Sequence, residues 1–385
     1  MRIVLHSRYP ESENHPRGGV ESATVNLLYG LKALGNHELH VVTLDGGIAE
    51  PIVEERDLVT VHRLPASRWP MVLDIFWGPG RRRLQRYISS LNPDIVHFQE
   101  THGLAGGPWP WPSLFTLHGF DSLNLPTERS RAWKLRSKVW AWAEKKGLSR
   151  HRHIISIARY VSDQIRGSTR AQITDIPNAI RSSGFELIRD EEATRVFFAG
   201  WINPRKNAVG LVRAFAKVVE QQPNATLRLA GEFSDADYKS LVVSEIHQLG
   251  LDNSVSLLGR IDAAAMQEEL SKAAVFVLPS FQENAPMVIS ESMAAGIPVV
   301  TSNVCGMPDM VAEGETGFLV NPESTDEIAD RVLRVIQDDE LRRDFSSKAR
   351  AMAYENYHPE SVARRTCQLY ADVISDFRKT HGVVA

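Results

Sequence analysis

Two glutamates in a Glu-x7-Glu spacing, Glu283 and Glu291, bracket a segment in which a helix has to start. Ahead of them VFVLPS, residues 275–280, reads as a short buried strand closed by Pro279. FQENA follows as a polar loop, and Pro286 stands where a first helical residue would stand, because its missing N–H costs nothing there. The helix should run to about Ala295, with Gly296 as its left-handed stop and IPVVTS as the next strand. The free N–H groups of Met287 and Val288 would then sit at a helix N-terminus, which favours an anion. Glu283 falls on the loop and Glu291 more than one turn into the helix. Upstream, Arg205 and Lys206 stand at a turn between the strand RVFFAG, which ends at Gly200, and an amphipathic helix. A guanidinium fork and a compact ammonium suit phosphate oxygens. The same text also fits a crossover helix with a solvated glutamate on each side and a basic helix entry.

The elements that must position these groups are α/β in pattern. Arg2 to Ser7 is a first strand. A glycine turn at Gly18 and Gly19 opens an amphipathic helix with Val20, Ala23, Leu27, Leu28, Leu31 and Leu34 on one face, and HELHVVTL is the second strand. Strand, turn, helix, strand argues a doubly wound half, and no G-x-G-x-x-G fingerprint accompanies it. Further strands follow at Val59 to Leu64 and Ile95 to Phe98, and in SLFTL before His118-Gly119. The polar stretch from about Arg181 to Thr194 reads as a linker, after which strand–helix alternation restarts. The expected division is residues 1–180, residues 181–360, and a final helix in 361–385. That helix carries Val362, Thr366, Leu369, Tyr370 and Val373 at helical spacing.

Length and composition set outer bounds. The 385 residues are 43% hydrophobic and 24% charged, which leaves no room for long disorder. Net charge is −3, so the total implies no nucleic-acid partner. It divides unevenly, about +6 before residue 181 and about −9 after it. The two cysteines, Cys305 and Cys367, lack metal-ligand spacing and fit a reducing compartment. The N-terminal apolar run is too short for an export signal, and no run approaches the ~18 apolar residues of a spanning helix. A cytoplasmic protein is expected, with peripheral membrane contact left open. The basic aromatic stretch 129–153 bears on that. It fits either a surface helix with core tryptophans or a docking surface for anionic lipid. Of eight tryptophans, only Trp201 lies beyond the first half.

Taken together, Glu283, Glu291 and the following SMAAGIPVV resemble the nucleotide-sugar motif of retaining glycosyltransferases of the GT-B fold, in particular family 4. Asn284 to Pro286 replace the family's usual glycine–aromatic–glycine. The resemblance extends to the Gly18-Gly19 turn, to "NPDIVHFQ", to "TLHG" with His118, to Pro177-Asn178-Ala179, and to "SLLGR" with Arg260 near a nucleotide base. It implies two Rossmann-like domains facing each other across a cleft and a C-terminal helix returning to the first. The acceptor is expected on the first domain and the nucleotide sugar on the second. His118 is implied beside the donor sugar, and Gly200 and Lys206 match the family's glycine and diphosphate-binding lysine. Trp201 stands where the family carries an arginine, so Arg205 is expected to supply the second charge.

The reaction so implied moves a hexose-type sugar from a nucleoside diphosphate to a hydroxyl with retention of configuration. Glu283 would bond donor-sugar hydroxyls and Glu291 the ribose. Arg205, Lys206 and the helix start at Met287 and Val288 would stabilise the departing diphosphate. No cofactor and no metal is expected. Asp235-Ala236-Asp237 imitates a metal motif, but Ser234 or Asp235 is better placed as a helix N-cap. The acceptor class stays open among glycans, lipid-linked sugars and small glycosides. Two other classes remain, a nucleotide-sugar epimerase of the same fold and a two-domain binding protein without chemistry.

Overall fold

The computed structural model describes residues 1–14, 16, 18–67, 74, 78–99, 108–119 and 133–382, with side chains 133–136 left aside. The chain divides into two compact units: residues 1–179 with 359–385, and residues 180–358.

Eight strands form the sheet of the first unit: β1 Arg2–His6, β2 Glu38–Asp45, β3 Ile52–Glu55, β4 Thr60–Pro65, β5 Ile95–Phe98, β6 Ser113–Leu117, β7 His153–Ser156 and β8 Gln172–Asp175. Their order is β3-β4-β2-β1-β5-β6-β7-β8. β3 runs antiparallel to β4, and the other pairs are parallel. The short edge strand β3 was not legible in the sequence. It is mostly exposed, so it carries no hydrophobic pattern. The Gly19–Ala33 helix buries Ala23, Leu27, Leu28 and Leu31, while Val20 and Leu34 are half-buried at its ends. The Pro359–His381 helix packs against it through Val362, Thr366, Leu369, Tyr370 and Val373. Gly30 permits the approach, since a Cβ there would fall 2.1 Å from the Pro359 carbonyl oxygen. Ser156 does not cap the next helix as a side chain. Its hydroxyl donates to the Ala158 carbonyl at 2.7 Å, and Ala158 holds the cap position.

The second unit has six parallel strands: β9 Glu192–Ala199, β10 Thr226–Ala230, β11 Val255–Gly259, β12 Ala273–Leu278, β13 Val299–Ser302 and β14 Gly317–Val320, in the order β11-β10-β9-β12-β13-β14. β12 is buried at every residue, as expected of a strand covered on both faces. Asp235 caps the Ala236–Gln248 helix by accepting from the Tyr238 N–H at 2.8 Å, which accounts for the first of the two aspartates. No group of three or more metal-ligating side chains occurs among the described residues. Nor is any described helix long and apolar enough to cross a membrane.

Buried histidines make the first unit sensitive to acid. His97 is 1% exposed, between the Tyr370 hydroxyl at 2.7 Å and the Thr116 hydroxyl at 2.6 Å. Burial, helped by nearby His118, lowers its pKa to about 3. His62, also buried, is lowered to about 4 by burial and then by His40. The unfolded chain binds these protons near pH 6.5 and the folded chain does not, and each tenfold difference in proton affinity between the two states is worth about 1.4 kcal/mol. Stability is therefore level above pH 7 and falls as pH drops from about 6.5 toward 4. Thermal unfolding across pH 8 to 5 should show that decline, and a melting temperature that rises toward pH 5 contradicts it.

Candidate active site

In the second unit the predicted cations and the loop glutamate converge. β9 ends at Ala199, and Gly200, at φ 148, turns the chain. A Cβ on Gly200 would lie 3.2 Å from the Lys206 ammonium nitrogen, so the bare backbone makes room for that side chain. Arg205 and Lys206 lie in a single 3-10 turn, Pro204–Lys206, capped by Asn203, whose side chain accepts from the Lys206 N–H at 3.1 Å. Asn207, at φ 57, then caps the Ala208–Gln221 helix through the Gly210 N–H. From the end of β12 comes Glu283. Its Oε1 is 2.8 Å from Lys206 Nζ and its Oε2 is 3.2 Å from Arg205 Nη1. Lys206 is 7% exposed and Glu283 8%, whereas Arg205 is half-buried.

The Glu283 loop is held mainly by backbone contacts. The Phe281 N–H donates to the Arg205 carbonyl at 2.8 Å, and Arg205 Nη1 donates to the Gln282 carbonyl at 2.8 Å. From the far side the Gly306 N–H donates to the Glu283 carbonyl at 2.9 Å. Cys305, at φ 55, makes the turn after β13 that delivers Gly306. Gly306, Asn203 and Gly231 were missed in the sequence. A Cβ on Gly231 would fall 1.8 Å from the Gly200 carbonyl oxygen. Of the three, only Gly306 had a readable signal, the turn NVCGMP directly after a strand.

Pro286 is the N-cap of the Met287–Ala294 helix, not its first residue. The reason is the extended ψ of 112 at Pro286, which puts the first helical dihedrals at Met287. Met287 and Val288 are half-buried, and their N–H groups meet no acceptor among the described residues. Gly296 ends the segment at φ 71. Glu291 lies within this helix, half-buried; desolvation raises its pKa and the Arg181 charge opposes the rise. Asn284 is half-buried beside Glu283, and Arg260, after Gly259, is exposed.

In the first unit His118 follows β6. Its Nε2–H donates to Gln99 Oε1 at 3.0 Å in the neutral ring, and desolvation lowers its pKa to about 4. Gly18 caps the Gly19–Ala33 helix in extended conformation, so no tight turn requires a glycine there. No described atom lies within 4 Å of a Cβ built on Gly18 or Gly19.

A Glycosyltransferase Family 4 profile matches residues 17–183, and a Glycosyl transferases group 1 profile matches residues 181–352. The chain belongs to the family 4 type of GT-B glycosyltransferases. The chain superposes on sucrose-phosphate synthase from Thermosynechococcus elongatus with a TM-score of 0.78, at 21% identity, over 97% of this chain and 99% of that one. Anabaena HepE, solved in complex with UDP-glucose, gives a TM-score of 0.67 at 18% identity over 97% and 100%. Both show a shared fold. In sequence the chain is 25% identical to a phosphatidyl-myo-inositol mannosyltransferase of Mycolicibacterium smegmatis over 92% of this chain and 90% of that protein. It is 30% identical to an N-acetyl-alpha-D-glucosaminyl L-malate synthase of Bacillus anthracis over 44% and 43%. The chain thus spans less than half the length of several curated relatives that it matches.

Proposed function

We propose that the glycosyltransferase moves a hexose-type sugar from a nucleoside-diphosphate sugar to a hydroxyl acceptor, with retention and without a metal. The carrying observation is the cluster of Lys206, Arg205 and Glu283, joined within 3.2 Å at the ends of β9 and β12. The Glu283 carboxylate is paired with both cations. A donor diphosphate would draw the ammonium and guanidinium onto its own oxygens, and the freed carboxylate would accept from sugar hydroxyls. The open N–H groups of Met287 and Val288 add a helix-terminal anion site. As the sugar C–O bond breaks, charge grows on the leaving phosphate oxygen, where fixed cations act most strongly. That oxygen can take the acceptor proton on the same face, which gives retention.

Glu291 suits a ribose. Half-buried on a helix, its carboxyl has two oxygens for adjacent hydroxyls, and its raised pKa reflects a desolvated place. In the first unit His118, kept neutral, and the Gly18-Gly19 helix start, whose glycines no packing among the described residues requires, are assigned to ligand contact. Arg260 keeps the base-contact role that the resemblance implies, and Asn284, beside Glu283 in a segment that departs from the family pattern, is assigned to the donor as well. Support for a nucleotide sugar comes from Anabaena HepE, which is solved with UDP-glucose. The relatives also name mannosyl and N-acetylglucosaminyl transfer, so the sugar is assigned only as hexose-type. Both matching profiles are transferases, which leaves the epimerase without support.

Membrane contact belongs to the same reading. In the Trp133–Leu148 helix Trp140 is 8% exposed and belongs to the core. Trp142 is 46% exposed with the Lys146 ammonium 4.8 Å from its ring, and Lys138 and Lys145 are exposed too. A cationic face with one outward indole supports peripheral attachment to an anionic surface. Residues 129–132 of the basic stretch lie outside the described residues.

The test is incubation with labelled UDP-, GDP-, ADP- and dTDP-sugars without added metal and with a chelator. One donor should be turned over by transfer or slow hydrolysis, and chelation should leave the rate unchanged. Release of an epimerised nucleotide sugar, or binding with no turnover on any acceptor class, would contradict the reading.

A further inference from the structure

Trp201 leaves β9 with its indole in solvent. It is 65% exposed, while the next residue, Ile202, is 0% exposed. The backbone around it is tied on both sides. The Gly200 N–H donates to the Ala230 carbonyl at 3.0 Å, the Ile202 N–H to the Glu232 carbonyl at 2.8 Å, and the Ser234 N–H to the Ile202 carbonyl at 2.9 Å. Strand alternation that sends Ile202 into the core therefore sends Trp201 outward, on a fixed base. On the adjacent loop Phe281 is 44% exposed, and its N–H is fixed to the Arg205 carbonyl at 2.8 Å. Two exposed rings thus stand on tied backbone, one directly after Gly200 and one two residues before Glu283. Exposed aromatics of this kind contribute little to the fold, and grouped at a site they mark a ligand surface.

Position narrows the ligand part. Trp201 directly follows Gly200, whose missing Cβ would lie 3.2 Å from Lys206 Nζ, and that nitrogen is 2.8 Å from Glu283. Glu291, assigned to the ribose, lies on a separate helix in the field of Arg181. Trp201 is thus one residue from the glycine that makes room for Lys206, the partner of the carboxylate assigned to the sugar. It has no charge to offer a phosphate, but it has a flat apolar face that matches the C–H face of a pyranose. We propose that Trp201 is a sugar-contacting specificity residue: its indole packs on the pyranose ring of the nucleotide sugar whose hydroxyls Glu283 bonds. This rests on the donor reading above. It also gives the uncharged side chain at this position a role, with the diphosphate left to Lys206, Arg205 and the helix start.

Calorimetric titration of wild type, Trp201→Ala and Trp201→Phe separates the possibilities. The probes are UDP, GDP, ADP and dTDP together with UDP-glucose, UDP-N-acetylglucosamine, GDP-mannose, ADP-glucose and dTDP-glucose. With the nucleotide sugar that wild type binds most tightly, Trp201→Ala should weaken binding about tenfold, the size of one ring contact. Affinity for the matching nucleoside diphosphate should stay within about twofold, and Trp201→Phe should recover most of the loss. Because the indole is mostly exposed, the melting temperature of Trp201→Ala should equal that of wild type. An equal loss for diphosphate and sugar nucleotide would put the indole on the nucleoside half and overturn the proposal, as would no loss at all. Failure of the donor reading looks different, since wild type would then bind none of the probes.

Discussion

Lys206→Ala lowers turnover of the nucleotide sugar by roughly 10²-fold or more, the usual cost of removing one preorganised partner of a developing negative charge. The geometry makes this residue the first to test. Lys206 is 7% exposed, its ammonium is 2.8 Å from Glu283 Oε1, and Gly200 keeps the space that it fills. The variant should also melt earlier, because it leaves a buried carboxylate with Arg205 alone. Breaking a buried pair from one side costs up to about 3–5 kcal/mol, and the remaining guanidinium keeps the loss below that. Lys206→Ala combined with Glu283→Gln removes the uncompensated charge, so it should regain melting temperature and not turnover. Rates measured at saturating donor, beside thermal unfolding, separate the two effects. Wild-type turnover in the single variant would remove the ion cluster from the mechanism.

The second large effect is expected at a residue that touches no ligand in this reading. Gly306 has an ordinary φ of −87, so alanine meets no backbone strain there. Its Cβ would fall 1.6 Å from the Asn284 carbonyl oxygen and 2.6 Å from the carbonyl carbon, which are backbone atoms that cannot rotate away. The loop carrying Glu283 must shift by an ångström or more, and a displacement of that size costs about 10²-fold in rate. Gly184→Ala is the matched control, with its nearest neighbour, the Ala294 Cβ, in ordinary contact at 3.6 Å. Donor affinity and turnover should fall for Gly306→Ala and hold for Gly184→Ala. Equal behaviour of the two would mean that the loop position does not set activity.

The parts of this protein that were legible in the sequence share one property: each is a local signal. The apolar run of β12 and the glycine at 296 announce strand and stop by residue type alone. Asp235 announces a cap because an aspartate ahead of an amphipathic run accepts a helix N–H. The Pro286 prediction missed by one position, since a proline's fixed φ suits both the cap and the first turn and only ψ separates them. The exposed edge strand β3 escaped because nothing in IVEE distinguishes a ladder from a loop.

What the sequence determined by itself was the α/β alternation, the change of unit near residue 180, and the charged residue types of the candidate site. The tertiary structure alone decided that Lys206 and Glu283, 77 positions apart, form a buried pair, that Arg205 braces the loop from below, and that Trp201 faces water while Ile202 faces the core. The physical reason is range. Capping, periodicity and turn chemistry act over a few residues and are written in neighbours. The pairing of charges at the ends of β9 and β12 depends on which strands lie side by side, and that is settled by the burial of whole strands in a common core.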